Sequence, residues 1–309
     1  MYFPFLRGRQ YEMLALKDLV ENNKLSSKIV PVIEPIKFSP TFFNVLKKFV
    51  ELKKRIAIVI NPLVGDFEKE LFELDDNKIN EYNLLLREKC ILFAYWINNE
   101  LKNVDETKEL IYLCNDRDNY NDYTRLLNKK KPVFTLIPDD RTLRRSIDNR
   151  VIFEDCFLKQ ERNSDYEKKP DEFFSDNHLY YEADGYSGFA DYSTVGDEFK
   201  ESGFAPMAVV IHLTYFDEKH ALRLHHFVSN SNYDINDPAG KFKEALDKFI
   251  AFVDNNENFK MYNFETVAIA NLRDCNVNSK YPGLGTIKKY SIMNHLEQIS
   301  YFMENEKWN

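Results

Sequence analysis

The sequence predicts an α/β protein with a (β/α)8 TIM-barrel-like fold and a C-terminal α+β elaboration. About eight short apolar runs, rich in β-branched residues, alternate with helical segments over most of the chain. This alternation of strands and helices is typical of such a barrel. No GxGxxG or Walker loop is present to favour an open, doubly wound sheet. The 309 residues suffice for one large domain over 1–309, with a barrel core at about 29–214 and the elaboration at about 215–309.

The eight predicted barrel strands share an apolar run, and several are followed by a polar turn. They are residues 29–35, 56–62, 91–97, 110–114, 132–137, 151–155, 188–197 and 207–214. The intervening helices are predicted from apolar residues at helical spacing. They are residues 10–23, 41–53, 81–89 and 120–130, with a short arginine-rich helix after the fifth strand.

Beyond residue 214 the pattern continues without a linker or a low-complexity tract. Residues 222–228 and 266–270 are predicted as strands because each is a short apolar run. Residues 238–253 are predicted as an amphipathic helix that begins at Asp237 and Pro238, a favoured N-cap and N1 pair. Residues 286–303 are predicted as a closing helix.

Composition limits the classes of function. A net charge of −8 and a pI of about 5.4 argue against general nucleic-acid or membrane-surface binding. The four cysteines form no CxxC motif, so we expect reduced thiols and no zinc site. No apolar stretch approaches the length of a spanning helix, and the N-terminus lacks the pattern of a signal peptide. We therefore expect a cytoplasmic protein.

Acidic residues near the tips of predicted strands are the candidate catalytic groups. Glu34, Asp155 and Asp191 lie near the ends of the first, sixth and seventh predicted strands, where barrel enzymes hold their chemistry. Such carboxylates can bind a divalent metal or act as acid and base, but they also serve turns and helix caps. We expect Glu34 and Asp191 to point inward. His212 interrupts the last predicted strand and completes the candidate set.

Residues beside these acids are the candidate ligand-binding groups. Arg7 and Arg9 flank Gly8, and a guanidinium recognises phosphate or carboxylate with two hydrogen bonds. Tyr192 and Ser193 follow Asp191 directly. A buried Asp191 needs a partner, and we expect a protein cation rather than a metal. No HExxH or HxH motif is present, so a zinc hydrolase is disfavoured; no residues are assigned to a metal, and the sequence does not identify a cofactor.

Several segments resemble the phage Beta protein family, and more closely an uncharacterised bacterial subgroup of proteins of this length. The N-terminal segments are Tyr2, Pro4, Leu6, Arg7, Gly8, Arg9, Glu12, Ala15, Leu16 and residues 29–35. The later segments are residues 178–179, 188–196, 211–212, 226–228, 281–286, 291–293 and 295–296. The resemblance implies a TIM-barrel-like fold and a place in phages, mobile elements and bacterial genomes. It brings no catalytic residues.

Two hypotheses of function follow. In the first, the chain is a binding or accessory component in phage–host conflict, and its partner is a second protein or a phage component. In the second, it is an enzyme acting on a phosphorylated or nucleotide-like small molecule at the C-terminal mouth of the barrel. A structural phage component is a weaker third choice, because the sequence shows no repeat. Convergence of Glu34, Asp155, Asp191 and His212 in one pocket would favour the enzyme.

Overall fold

The computed structural model describes residues 1–200 and 205–305. The strands are β1 Tyr2–Leu6, β2 Val32–Ile33, β3 Ile56–Val59, β4 Ile91–Trp96, β5 Leu110–Leu113, β6 Phe134–Ile137, β7 Arg150–Glu154, β8 Asp171–Ser175, β9 Gly188–Asp191, β10 Val210–Phe216 and β11 Leu222–Val228. The helices are α1 Gln10–Glu21, α2 Pro40–Glu51, α3 Phe67–Phe72, α4 Asp76–Arg87, α5 Tyr120–Leu127, α6 Arg141–Ser146, α7 Asn177–Tyr180, α8 Pro238–Asn255, α9 Glu257–Tyr262, α10 Val267–Val277 and α11 Leu284–Glu304. Two short 3-10 helices span Arg117–Asn119 and Asn163–Lys168.

Eight parallel strands close into a barrel, and this confirms the predicted fold class. Strands β1 to β7 follow one another around the barrel, and β9 closes it by pairing with both β7 and β1. Helices lie between the strands along the chain. This barrel unit comprises Met1–Asp155 and Tyr180–Tyr192. The carboxyl ends of the parallel strands share one rim, which we call the mouth of the barrel.

One of the eight predicted strands lies outside the barrel, and one strand of the barrel was not predicted. The first barrel strand is β1, a segment that was not predicted as a strand, because Pro4 within the run has no N–H to donate to a ladder. The predicted eighth strand at 207–214 overlaps β10, which pairs antiparallel with β11 outside the barrel. The barrel therefore runs from Tyr2 to Asp191 and not from 29 to 214.

The interior of the barrel is filled by alternate side chains of its strands. The buried interior residues are Phe3, Phe5, Val30, Val32, Ala57, Val59, Leu92, Ala94, Trp96, Ile111, Leu113, Leu136, Val151, Phe153 and Ala190. Near the mouth, the ring of Phe5 lies 5.6 Å from Trp96, 5.4 Å from Phe153 and 5.2 Å from Tyr192, between ring centroids. The barrel is a packed core, so any chemistry must take place at the rim.

The second unit comprises Cys156–Leu179 and Ser193–Asn309. Its antiparallel sheet has the order β10-β11-β8, and α8, α10 and α11 contribute to its apolar core. The predicted strand at 222–228 and the helices at 238–253 and 286–303 match β11, α8 and α11. The predicted strand at 266–270 is wrong: Thr266 caps α10 by accepting a hydrogen bond from the Ile269 N–H at 3.2 Å, and a short apolar run does not by itself separate strand from helix.

The structure bears on the expectations about membrane spans and about the cysteines. Across residues 1–200 and 205–305, no helix has both the length and the apolar character that crossing a bilayer requires. Cys90, Cys114, Cys156 and Cys275 all carry free thiols.

Closure of the barrel depends on a close approach of β9 to the N-terminus. A Cβ added at Gly188 would lie 2.5 Å from the Met1 carbonyl oxygen, which already accepts a hydrogen bond from the Phe189 N–H at 3.0 Å. We expect Gly188→Ala to lower the free energy of unfolding by about 1–3 kcal/mol, the usual range for overpacking. Urea unfolding measures this. The matched control is Ser187→Ala at the exposed neighbour. Equal unfolding curves for the two variants would refute the close-approach account.

Candidate functional site

A buried carboxylate joins four segments at the mouth of the barrel. Glu34 directly follows β2 and shares the interior face with Val30 and Val32. Its Oε2 accepts a hydrogen bond from Arg7 Nη1 at 2.8 Å. Its Oε1 accepts from the Leu63 N–H at 2.8 Å and from Trp96 Nε1 at 2.9 Å. The Glu34 side chain is fully buried and that of Arg7 is 13% exposed, so a cation and two further donors offset the cost of burying the charge.

The turn between β1 and α1 orients Arg7. The Oε2 atom of Glu12 accepts hydrogen bonds from the backbone N–H groups of Arg7 at 2.8 Å and Arg9 at 3.3 Å. Gly8 has a φ of 66°, where a side chain is disfavoured, and a Cβ there would lie 3.3 Å from Ile33 Cγ2. Arg9 is the N-cap of α1 and is half-buried. Hydrogen bonds therefore join Arg7, Arg9, Glu12 and Glu34, and we call these residues together with Gly8 the clamp. All five belong to the N-terminal part of the resemblance.

Trp96 is itself held in place by an amide. The Asn61 Nδ2 donates to the Trp96 carbonyl oxygen at 2.8 Å, and the Asn61 Oδ1 accepts from the Trp96 N–H at 2.9 Å. Sequence reasoning did not select Asn61, Trp96 or Glu12 as site residues. The available signals were the position of Glu12 three residues after an N-cap and the polar Asn61 at the end of an apolar run.

An aromatic ring completes the mouth beside the cation. Tyr192 follows Ala190 by two residues and stacks on Phe153 with centroids 4.7 Å apart and an interplanar angle of 29°. The Arg7 guanidinium carbon lies 5.9 Å from the centroid of the Tyr192 ring. Of the predicted ligand-binding residues, the structure thus brings Arg7 and Tyr192 together with Glu34. This arrangement can receive a planar or anionic group against a cation and an aromatic face.

Asp191 faces away from this site. Its neighbours Ala190 and Tyr192 pack on the interior core, so the side chain between them lies on the outer face of β9. There the Tyr2 hydroxyl donates to Asp191 Oδ1 at 2.7 Å, and Asp191 is only 3% exposed. The expectation that Asp191 points inward is wrong, because the polar character of a residue within an apolar run does not reveal which face it occupies.

Two further predicted residues, Ser193 and Asp155, directly follow Tyr192 and Glu154 at the ends of β9 and β7. Ser193 follows the end of β9, is buried and has a φ of 53°, so it has left the strand conformation and does not share a strand face with Asp191. Asp155 directly follows β7 and is exposed. Glu34 is fully buried on the interior face of the mouth.

His212 lies on β10 in the second unit and on no barrel strand. Its Nδ1 lies 2.7 Å from the Nδ1 of His226, the residue opposite it on β11. The His226 Nε2 lies 3.3 Å from Glu172 Oε1, and the Tyr166 ring packs against both imidazoles. Burial, with His226 close by, holds the pKa of His212 well below its usual value. Burial also lowers the pKa of His226, although Glu172 partly offsets this effect.

His225, which precedes His226 on β11, has different partners. This is expected, because successive side chains of a strand point to opposite faces of the sheet. The His225 Nδ1 lies 3.0 Å from Asp171 Oδ2, which also accepts from the Tyr215 hydroxyl at 2.7 Å. The Arg223 Nε donates to Asp171 Oδ1 at 2.6 Å. Burial raises the pKa of Asp171, but hydrogen bonds from His225, Tyr215 and Arg223 outweigh it and leave the pKa lowered. Asp171 is thus engaged as an acceptor within the sheet.

These observations define a class: a (β/α)8-barrel protein with an additional α+β unit and a buried arginine–glutamate pair at the barrel mouth. Within the described part of the chain, no three His, Cys, Asp or Glu side chains are grouped so that they could share a metal ion. Comparisons of the chain with models of known protein families, with curated proteins and with solved structures found no match.

The Arg7–Glu34 pair should be strongly coupled in stability. Glu34→Gln retains an acceptor for Leu63 and Trp96 but removes the negative charge 2.8 Å from Arg7 Nη1, so we expect a loss of about 3–5 kcal/mol in the free energy of unfolding. Arg7→Met combined with Glu34→Gln should cost less than the sum of the single changes. Chemical denaturation of all four proteins measures the cycle.

The control for this cycle is Glu109→Gln. Glu109 pairs with Arg55 at 2.7 Å on the surface, with both side chains more than a third exposed, so the change should have little effect. Additive effects of Arg7→Met and Glu34→Gln would contradict the coupling.

The His212–His226 pair should make stability fall in mild acid. Because the folded-state pKa of His212 and His226 lies below the usual value near 6.5, the unfolded chain takes up protons below that pH that the folded chain does not. Stability is therefore complete above about pH 6.5 and declines as pH falls, by up to about 1.4 kcal/mol per pH unit for each histidine that stays neutral.

The measurement is urea unfolding at several pH values for the wild type and His212→Leu. The charged or titratable groups that act on His212 are His226 and Lys288, and Glu172 acts through His226. Removal of His212 should flatten the dependence of stability on pH. A His212→Leu variant with the same pH slope as the wild type would show that this pair does not titrate as inferred.

Proposed function

We propose that this chain is a binding or accessory protein that acts in conflict between phages and bacteria, with the barrel as a rigid platform. The observation that carries the binding role is the complete engagement of Glu34. Both of its carboxylate oxygens accept hydrogen bonds, one from a cation and the other from an indole and a backbone N–H. A general acid or base must instead be free to exchange a proton with a substrate.

The arrangement of the other predicted catalytic residues supports the same role. Asp191 lies on the outer face of β9 with the Tyr2 hydroxyl, and His212 lies on β10 with His226. Acid–base catalysis needs its groups within hydrogen-bond reach of one substrate. The buried carboxylate of Glu34 ties strands together at the barrel mouth, which suits a scaffold better than a reaction centre.

The setting in phage–host conflict rests on the resemblance to the phage Beta protein family. The residues that carry its N-terminal part, among them Arg7, Gly8, Glu12 and Glu34, form the clamp at the mouth. This role of Arg7, Gly8, Glu12 and Glu34 is to stabilise the rim of the barrel, which does not require that they take part in a reaction. The partner we propose is a second protein or a phage component, recognised on the surface that this rim stabilises.

A second candidate function is action on a phosphorylated or nucleotide-like small molecule. One observation favours it: Arg7 and Tyr192 place a cation and an aromatic ring side by side at the mouth. Such a pair suits an anionic planar ligand. Against it, Arg7 Nη1 already donates to Glu34, and the Arg7 side chain is 13% exposed.

Phage challenge of a bacterial host that expresses the chain tests the proposal. We expect the wild-type protein to change the plating efficiency of at least one phage in a panel. The doubly substituted Arg7→Met, Glu34→Gln protein, which retains the acceptor for Trp96, should keep that effect if it remains folded by circular dichroism. A platform requires the shape of the rim and not this pair of charges.

The same two proteins separate the candidates. If the folded double variant loses the plating effect, or if purified wild-type protein converts a nucleoside mono-, di- or triphosphate and the double variant does not, the enzyme is favoured. If no phage in the panel plates differently on the wild-type strain, the role in conflict is rejected.

A further inference from the structure

The second unit contains a pocket of about 330 Å3 that the proposed function does not use. Its lining residues come from the 3-10 helix at Asn163–Lys168, from the residue before β8, from β11 and from α8. Glu167, His225, Lys248 and Phe252 are among them. The volume lies at the lower end of the range that is usual for small-molecule pockets, so the pocket suits a ligand of a few heavy atoms.

The protein fixes the orientation of the imidazole of His225. Its Nδ1 lies 3.0 Å from Asp171 Oδ2. The rings of Phe227 and Phe252 pack against it, with centroids 4.3 Å and 4.5 Å from the centroid of the imidazole. One hydrogen bond and two ring contacts therefore define where the second nitrogen, Nε2, lies.

Asp171 determines which nitrogen of His225 carries the proton. Although burial raises the pKa of Asp171, hydrogen bonds from His225, Tyr215 and Arg223 outweigh it, so the pKa is lowered and the carboxyl group is ionised. An ionised carboxylate can only accept hydrogen bonds, so the His225 Nδ1 is the donor in this pair. The neutral imidazole then carries its lone pair on Nε2.

The Nε2 atom of His225 is accessible. His225 lines the pocket, and 19% of its side chain is exposed. In the described part of the chain, Nε2 has no hydrogen-bond partner, and it is not one of the buried atoms that lack a partner. Because Nδ1 is engaged with Asp171, the lone pair of Nε2 is available to a donor on a bound molecule.

The charged side chains of the pocket limit the charge of its ligand. Lys248 is half-buried, and its Nζ donates to the carbonyl oxygen of Val228, another lining residue, at 2.7 Å. An ammonium group has three protons, so Lys248 can donate to a further acceptor. Glu167 is exposed and lines the same pocket. An ammonium with a carboxylate nearby favours a ligand group with a single negative charge over a dianion such as a phosphate monoester.

We propose that this pocket binds a small hydroxycarboxylate. Its carboxylate accepts from Lys248, its hydroxyl donates to His225 Nε2, and its hydrocarbon part packs on Phe252. Asp171 is a positioning residue, because it acts on the ligand through the proton that it holds on His225. The site lies in the second unit and uses no residue of the barrel rim, so this inference and the proposed function can fail separately.

Titration of the full chain with matched pairs of acids, followed by ligand-observed NMR, tests the proposal. The pairs are lactate with propionate and 3-hydroxybutyrate with butyrate, and the members of each pair differ by a hydroxyl group. We expect at least one hydroxy acid to bind roughly three- to tenfold more tightly than its partner, the factor usual for a net hydrogen bond. Glycerol 3-phosphate carries hydroxyls and a dianion, and it should bind more weakly than that hydroxy acid.

Two variants separate the roles of the imidazole and the ammonium. His225→Phe keeps an aromatic ring against Phe227 and Phe252 but removes the nitrogen, so it should abolish the preference for the hydroxy acid. Lys248→Met should weaken the binding of both members of a pair by about tenfold or more, because it removes a charged donor. The control is Lys243→Met, which removes the same charge from an exposed position of α8 and should leave both affinities unchanged.

Asp171→Asn tests the positioning role. Arg223 donates to Oδ1, so the amide oxygen should remain with Arg223 and the amide N–H should face His225. The imidazole proton then moves to Nε2, which becomes a donor. We expect long-range proton–nitrogen NMR spectra of the imidazole to show this change of tautomer. The preference for the hydroxy acid should disappear while the binding of propionate or butyrate remains.

Four outcomes would overturn the proposal. The first is that neither hydroxy acid binds the wild type, and the second is that each binds no more tightly than its partner. The third is that glycerol 3-phosphate binds more tightly than both, which would assign the pocket to phosphate esters. The fourth is that His225→Phe keeps the preference or that Lys248→Met keeps the affinity. Should the variants fail to fold, the matched pairs on the wild type decide alone.

Discussion

The structure of the barrel mouth depends on how the buried carboxylate of Glu34 is satisfied. Glu34 lies on the interior face of the barrel, where an isolated carboxylate is strongly unfavourable, and so it requires donors from several segments at once. Arg7 at the end of β1, the backbone of Leu63 after β3 and the indole of Trp96 on β4 supply them. Each donor fixes its own segment as it satisfies the carboxylate. The geometry of this part of the rim follows from that single requirement.

The same constraint organises the N-terminal segment. Arg7 can reach Glu34 only if β1 joins the barrel, and Glu12 holds the turn that presents it. On the opposite edge of β1, β9 closes the barrel through Gly188 and through the bond from the Tyr2 hydroxyl to Asp191 on the outer face. Glu34 and Asp191, two of the three acids that suggested a reaction centre, thus belong to opposite faces of the barrel wall, and both contribute to its assembly.

The second unit contains buried polar groups of two kinds. In the first kind, protein supplies the partner: His212 meets His226, which meets Glu172, and the Asn294 amide of α11 donates to the Thr214 carbonyl oxygen. Such groups connect the sheet with itself and with its covering helix. Gln298 is of the second kind, since no described residue pairs with its amide.

The sequence by itself determined the alternation of strands and helices, and with it the class of fold, because hydrophobic periodicity is a local property. It also indicated Glu34, since a carboxylate at the end of a short apolar run must be compensated. Other features were decided only by tertiary structure. Membership of β1 in the barrel depends on pairing with β2 and β9, and the apolar run at β10 does not state whether its partner is parallel or antiparallel. The outward face of Asp191, the pairing of His212 with His226 and the pocket beside His225 all join residues far apart in the chain, and periodicity within one segment carries no information about such partners.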